Sequence, residues 1–171
     1  MHKEWLDLDD EIDQIRYSNE YIYLSLGINS VNPLNVIALS RELDQDKLEK
    51  VRSLVIKDGW LNLDPRNAVR LLLMPNGSYV VDGRGNHRVY VCNERGIDNI
   101  RAKVGTYMKK DCLTNEELDK HENYKAELSL LAKKIRRENN EELKAEYEDQ
   151  QADLIKNHKD WLLQIYYEKF D

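Results

Sequence analysis

Six of the seven glycines and all three prolines of this 171-residue chain lie between residues 31 and 105. Glycine and proline punctuate turns and interrupt helices, so the sharp reversals that a sheet needs are confined to the middle of the chain. The flanks are expected to be helical. Charge follows the same partition: residues 1–30 carry two basic and seven acidic side chains, residues 31–105 twelve and nine, and residues 106–171 twelve and sixteen. The formal net charge of -6 is therefore an average over a middle of +3 and two acidic flanks. Bulk acidity argues against a protein that coats DNA, because phosphate neutralisation needs clustered Lys and Arg. One local anion site in the basic middle remains compatible with it.

No apolar run approaches the roughly 18 residues of a membrane span, and the start Met1-His2-Lys3-Glu4-Trp5 has no secretory apolar stretch. The expectation is a cytoplasmic protein with no membrane partner. Cys92 and Cys112 stand in no metal-like spacing and read as reduced thiols, and no metal ligands are expected.

Periodicity fills in the elements. Trp5, Leu8, Ile12 and Ile15 recur at helical spacing, and Tyr21 to Leu26 reads as a strand. Val31–Leu39, with Val36, Ile37 and Leu39 after Pro33, is expected as a buried strand, and Asp44–Lys57 as a helix carrying Leu48, Val51, Leu54 and Val55, ending at Gly59. Val69–Met74, the turn signal Pro75-Asn76-Gly77, and Tyr79-Val80-Val81 spell a hairpin. A helix over about Asn86–Arg95, stopped by Gly96, and a strand over Ile100–Val104 complete an α+β unit. Thr114 and Glu117 match a capping box ahead of a helix marked by Leu118, Tyr124, Leu128, Leu131 and Ile135. Leu143, Tyr147, Leu154, His158, Trp161 and Ile165 mark another, and whether the two make a hairpin or one rod is left open by the pattern. The expected divisions are an N-terminal extension at 1–27, a core at 28–106 and an acidic helical extension at 107–171.

The chemistry concentrates in Tyr79-Val80-Val81-Asp82-Gly83-Arg84-Gly85-Asn86-His87-Arg88. A strand enters two glycines one residue apart and then a helix whose first turn carries His and Arg. Backbone N–H groups in such a turn, the unpaired first-turn amides and the helix dipole together make an anion site. Arg84 and Arg88 can grip phosphate bidentately, and His87 can donate a hydrogen bond or move a proton. Asp82 can hold a divalent metal or cap the turn. The same residues also describe a tight strand-to-helix turn with surface cations, and the pattern alone does not separate the two.

With the following helix and Gly96-Ile97-Asp98-Asn99-Ile100-Arg101-Ala102-Lys103-Val104, the Gly85-Asn86-His87-Arg88 turn resembles the ParB/sulfiredoxin superfamily over residues 28–106. Pro33-Leu34-Asn35-Val36-Ile37 and Leu43-Asp44-Gln45-Asp46-Lys47-Leu48 resemble its opening strand and first helix. The resemblance implies a small mixed-sheet core that binds ATP or CTP, with Mg²⁺, at Gly83, Arg84, Gly85, Asn86, His87 and Arg88. It also implies a lysine from the first helix, which falls on Lys47 or Lys50 according to the register chosen. His87, Asp82 and Glu42 are the implied catalytic candidates, Glu42 or Asp44 as general base toward a hydroxyl and Asp44 equally as a helix N-cap. Asn86 stands where sulfiredoxins carry their reactive cysteine, so sulfinic acid reduction is not expected. The ParB turn glutamate and a basic DNA-reading helix are also missing. The implied activity is nucleoside triphosphate binding, with hydrolysis or phosphate transfer. Two alternatives stand beside it: a non-catalytic interaction module of mobile-element origin, and a ParB-like nuclease. A protein partner or a second copy would engage the C-terminal helices, and the basic run Lys133-Lys134-Ile135-Arg136-Arg137 is the best place there for a nucleic-acid contact.

Overall fold

The computed structural model describes residues 4–58 and 68–170. They form two compact units, Met1–Tyr107 and Met108–Asp171. The class is mixed α+β. The first unit contains α1 (Asp9–Tyr17), β1 (Tyr21–Val31), β2 (Val36–Ala38), α2 (Gln45–Asp58), β3 (Val69–Leu73), β4 (Tyr79–Val81), α3 (Asn86–Glu94) and most of β5 (Ile100–Lys109). The second contains α4 (Asn115–Arg137) and α5 (Glu141–Phe170). The stop expected at Gly59 lies outside the described residues.

The five strands lie in the order β1-β5-β3-β4-β2. The β3–β4 hairpin is antiparallel, with Leu71 opposite Val81, and its turn closes through Gly77 N–H donating to the Met74 carbonyl at 2.9 Å. Parallel neighbours flank it: β2 beside β4, with Ala38 next to Val80, and β5 beside β3, with Leu71 next to Val104.

Strand alternation splits the apolar side chains between two faces. Val69, Leu71, Val81, Ala102 and Val104 form one core cluster with Val89 and Cys92 of α3. Leu72, Val80 and Ala38 form the other, under Ile12 of α1. Helix α3 ends in a Schellman cap, with Ile97 N–H donating to the Cys92 carbonyl and Gly96 N–H to the Asn93 carbonyl. Ile97 then packs on the first cluster.

Four elements differ from the periodicity reading, one of them β5, which runs on to Lys109 instead of stopping at Val104. Trp5 lies ahead of α1 rather than on it, because the chain at Leu6 pairs with Ala38 as a short bridge. The strand begun at Tyr21 continues through Gly27, at φ +84°, to Val31. The segment read as one strand is instead a 3₁₀ turn over Pro33–Asn35, capped by the Asn32 side chain, followed by the three-residue β2.

In the second unit the Thr114–Glu117 capping box is present in both directions. The two helices pack as a hairpin. Asn140 breaks the chain between them, its side chain accepting from the amides of Glu142 and Leu143 at 3.0 and 3.1 Å. An N-cap at Asn140 explains why one long rod does not form. Among the described residues no helix is long and apolar enough to cross a membrane.

Candidate functional site: the turn between β4 and α3

Where β4 ends, the ladder to β3 slips. Asp82 N–H donates to the Arg70 carbonyl at 2.9 Å, but Arg70 N–H reaches two residues further, to the Arg84 carbonyl at 3.0 Å. The slip is taken up in a tight turn centred on Gly83, at φ +74°, which Arg84 N–H closes by donating to the Asp82 carbonyl at 2.9 Å. Gly85 follows at φ +118° as the N-cap of α3, and a Cβ there would lie 2.8 Å from a Val69 methyl. Both glycines are therefore needed for the turn, the second for packing as well.

The loop between β2 and α2 is laced to this turn. The Asn86 side chain, 2% exposed, accepts from Ser40 N–H at 2.8 Å and donates to Ser40 Oγ at 3.2 Å. Ser40 Oγ also accepts from Gly83 N–H at 3.2 Å, and the Arg41 guanidinium donates to the Gly83 carbonyl at 2.7 Å. Asp44 N–H donates to His87 Nε2 at 2.9 Å, which requires that nitrogen to be unprotonated. Burial, then Lys47, pushes the His87 pKa down, Arg41 adds to this, and Asp44 opposes it.

Asp44 is the N-cap of α2, its carboxylate accepting from Lys47 N–H at 3.0 Å and its carbonyl from Leu48 N–H at 3.0 Å. That amide bond holds its carboxyl below the usual carboxylate range. The N-cap alternative thus describes Asp44. Two helix N-termini, those of α2 and α3, consequently meet through a single imidazole. Two positive dipole ends, with Arg41 and Lys47 beside them, make a local field that favours an anion.

The sequence candidates are placed as follows. Gly83, Arg84, Gly85, His87 and Lys47 share this corner. Arg84 points to solvent from the turn, while Arg88 is half-buried and its pKa is pushed down by burial. Lys47 is among the charges acting on His87, and Lys50, just under a turn further along α2, is not. Asn86 spends its side chain on Ser40. Asp82 is paired with Arg16 of α1 at 2.9 Å. Glu42 is exposed in the β2–α2 loop. Cys92 is fully buried and its thiol is pushed up to about 12 by burial, so it is no nucleophile.

Ser40 and Arg41 are site residues that sequence reasoning missed. They follow β2 directly, but nothing local marks them, since their partners lie 42 to 46 residues away. Ser40 and Gly83 also line a cleft of about 230 Å³, together with Asp9, Ile12, Asp13 and Arg16 of α1 and Val81 and Asp82. Among the described residues no group of three or more His, Cys, Asp or Glu is arranged to hold a metal ion. No protein-family model matches the chain, and no curated protein matches it.

Proposed function

We propose that the chain is a ParB/sulfiredoxin-like protein of the cytoplasm that binds the phosphates of a nucleoside triphosphate, ATP or CTP, at the Gly83–Arg88 turn. The observation that supports this best is the meeting of the α2 and α3 N-termini at the Asp44–His87 hydrogen bond, with Arg41 and Lys47 alongside. Such a corner favours a polyanion, the anionic group within it being the Asp44 carboxylate that caps α2 and pairs with Lys47 at 3.5 Å. Any contact from Asn86 comes through its backbone, because its amide is spent on Ser40. In this reading Mg²⁺ arrives with the nucleotide, held by its phosphates.

Hydrolysis or phosphate transfer is the further half of the proposal. His87 uses Nε2 as an acceptor, leaving Nδ1–H as its donor, and Asp82 is engaged with Arg16. Glu42, from the same loop as Arg41, is then the carboxylate to act as base toward a water or hydroxyl.

Calorimetric titration with ATP and with CTP, each with and without Mg²⁺, tests binding. Saturable heat that Arg41→Ala and Lys47→Ala each reduce is the expected result. Absence of a saturable signal with any nucleotide overturns the proposal. Phosphate release that Glu42→Gln abolishes while binding persists supports the catalytic half, and release unaffected by that change removes Glu42 from it.

A further inference from the structure

Helix α1 lies over Ala38, Leu72 and Val80 on one face of the sheet, and Tyr107 packs against the same cluster. Beyond that cluster, toward β5 and β1, the positions on the same face are Arg101, Lys103 and Gly105 of β5, Arg70 of β3, and Tyr21, Tyr23 and Ser25 of β1. The assignment follows from alternation. Ala102 and Val104 belong to the opposite core, Ile22 and Leu24 are buried, and Tyr23 meets Tyr107 edge-on with ring centres 5.4 Å apart. A Cβ at Gly105 would run into the Tyr23 ring, so the glycine lets that ring lie flat across β5.

Three properties of this face point to one kind of partner. It is open: Tyr23 is 52% exposed, and Arg70 and Arg101 are exposed. It carries three cations and no carboxylate among those positions. Arg70 and Lys103 are direct neighbours across the β3–β5 ladder, with Arg101 two residues along on the same side. Like charges set side by side across a ladder cost stability, so the arrangement is relieved by an anionic partner that spans them. Asp82, whose charge acts on Tyr23, is itself bonded to Arg16.

Aromatic rings interleaved with cations on an open sheet suit a strand whose bases are unstacked and whose phosphates run alongside. From Arg101 to Tyr107 the strand rises about 20 Å, enough for roughly three nucleotides. A duplex keeps its bases inside and offers this face only phosphates. We propose that the open face of β1, β5 and β3 binds a short stretch of single-stranded nucleic acid, with Tyr23 and Tyr21 stacking on bases and Arg70, Arg101 and Lys103 contacting phosphates. This surface is separate from the Gly83–Arg88 turn, and it reconciles an acidic chain with nucleic-acid binding by limiting the contact to a few nucleotides.

Fluorescence anisotropy with labelled oligothymidine, oligouridine and a duplex of the same length tests it on the full chain. Saturable binding of single strands is expected, with a logarithmic salt slope of about -2 for three phosphate contacts, or about 20-fold weaker binding between about 50 and 200 mM salt. Arg101→Glu and Tyr23→Leu should each weaken binding by at least about tenfold with unchanged melting temperature, leucine keeping the cover over Gly105 but removing the stacking ring. Excess ATP should leave the oligonucleotide in place, which distinguishes this face from the turn. No binding at low salt, a duplex bound as tightly as single strands, indifference to both substitutions, or displacement by ATP would each overturn the proposal.

Discussion

Gly85→Ala isolates what holds the turn in shape. Two costs apply at this position. The backbone sits at φ +118°, where a side chain is strained, and the new methyl would meet a Val69 methyl carbon at 2.8 Å. Left-handed backbone costs a non-glycine residue about 1–2 kcal/mol. Forcing a methyl into a packed contact costs about 1–3 kcal/mol more, and lower unfolded-state entropy returns about 0.4–1 kcal/mol. The net is about 3 kcal/mol. Gly83→Ala carries only the conformational part, since nothing lies within 4 Å of its Cβ position, and should cost about 1 kcal/mol. Native-state hydrogen exchange at the Leu71 and Val104 amides reads the stability of the sheet apart from that of the helical hairpin. Protection there should fall by about two orders of magnitude for Gly85→Ala and about fivefold for Gly83→Ala, at about 1.4 kcal/mol per factor of ten. Combining Gly85→Ala with Val69→Ala removes the collision but not the strain, so the double variant should be more stable than the sum of the two losses predicts. Equal losses at the two glycines, or strict additivity with Val69→Ala, would refute the packing argument.

Two other consequences concern hydrogen-bonded pairs. In the C-terminal hairpin His121 Nδ1 and His158 Nε2 lie 3.1 Å apart, with Tyr124 stacked on His158 at 3.5 Å. Burial, above all, lowers both histidine pKa values, that of His158 to about 4, while Lys125 and Lys110 hold Glu122 at about 2, so it stays ionised throughout. The unfolded chain then takes up protons before the folded one, so hairpin stability is complete above about pH 6.5 and falls toward pH 4. Helical circular dichroism during urea unfolding should show that loss in the full chain and a shallower one in His158→Leu; an unchanged slope would remove the pair as its source. Asn86→Ala strips the acceptor from Ser40 N–H and should cost about 1–3 kcal/mol in urea unfolding, whereas a loss near zero would mean that the loop finds another partner.

What could be read in the sequence was local. The Pro75-Asn76-Gly77 turn, the Gly96 helix stop and the Thr114 capping box are set by residues within a few positions of one another, and all three are present. Helices α2 and α3 came from periodicity for the same reason. The three-residue β2 has no period to show, and it is a strand because β4 pairs with it. Strand β1 outran its apolar stretch because Gly27 bends it without ending it. At the site, the glycine turn and His87 were legible, whereas Ser40 and Arg41 became site residues only when the fold brought the β2–α2 loop beside Gly83. Arg16, 66 residues from the Asp82 it pairs with, was equally hidden. The open face had no local signature either, since Arg70 and Lys103 become neighbours only through the β3–β5 ladder.

Amide nuclear magnetic resonance of the full chain during titration with ATP and CTP tests the phosphate-site proposal most directly, because it reads location as well as binding. The amides of Gly83, Arg84, Gly85 and His87, together with those of Asp44 to Lys47 at the facing helix end, should show the largest saturable shifts. Shifts that fail to saturate, or that are largest away from these two helix N-termini, would contradict the account.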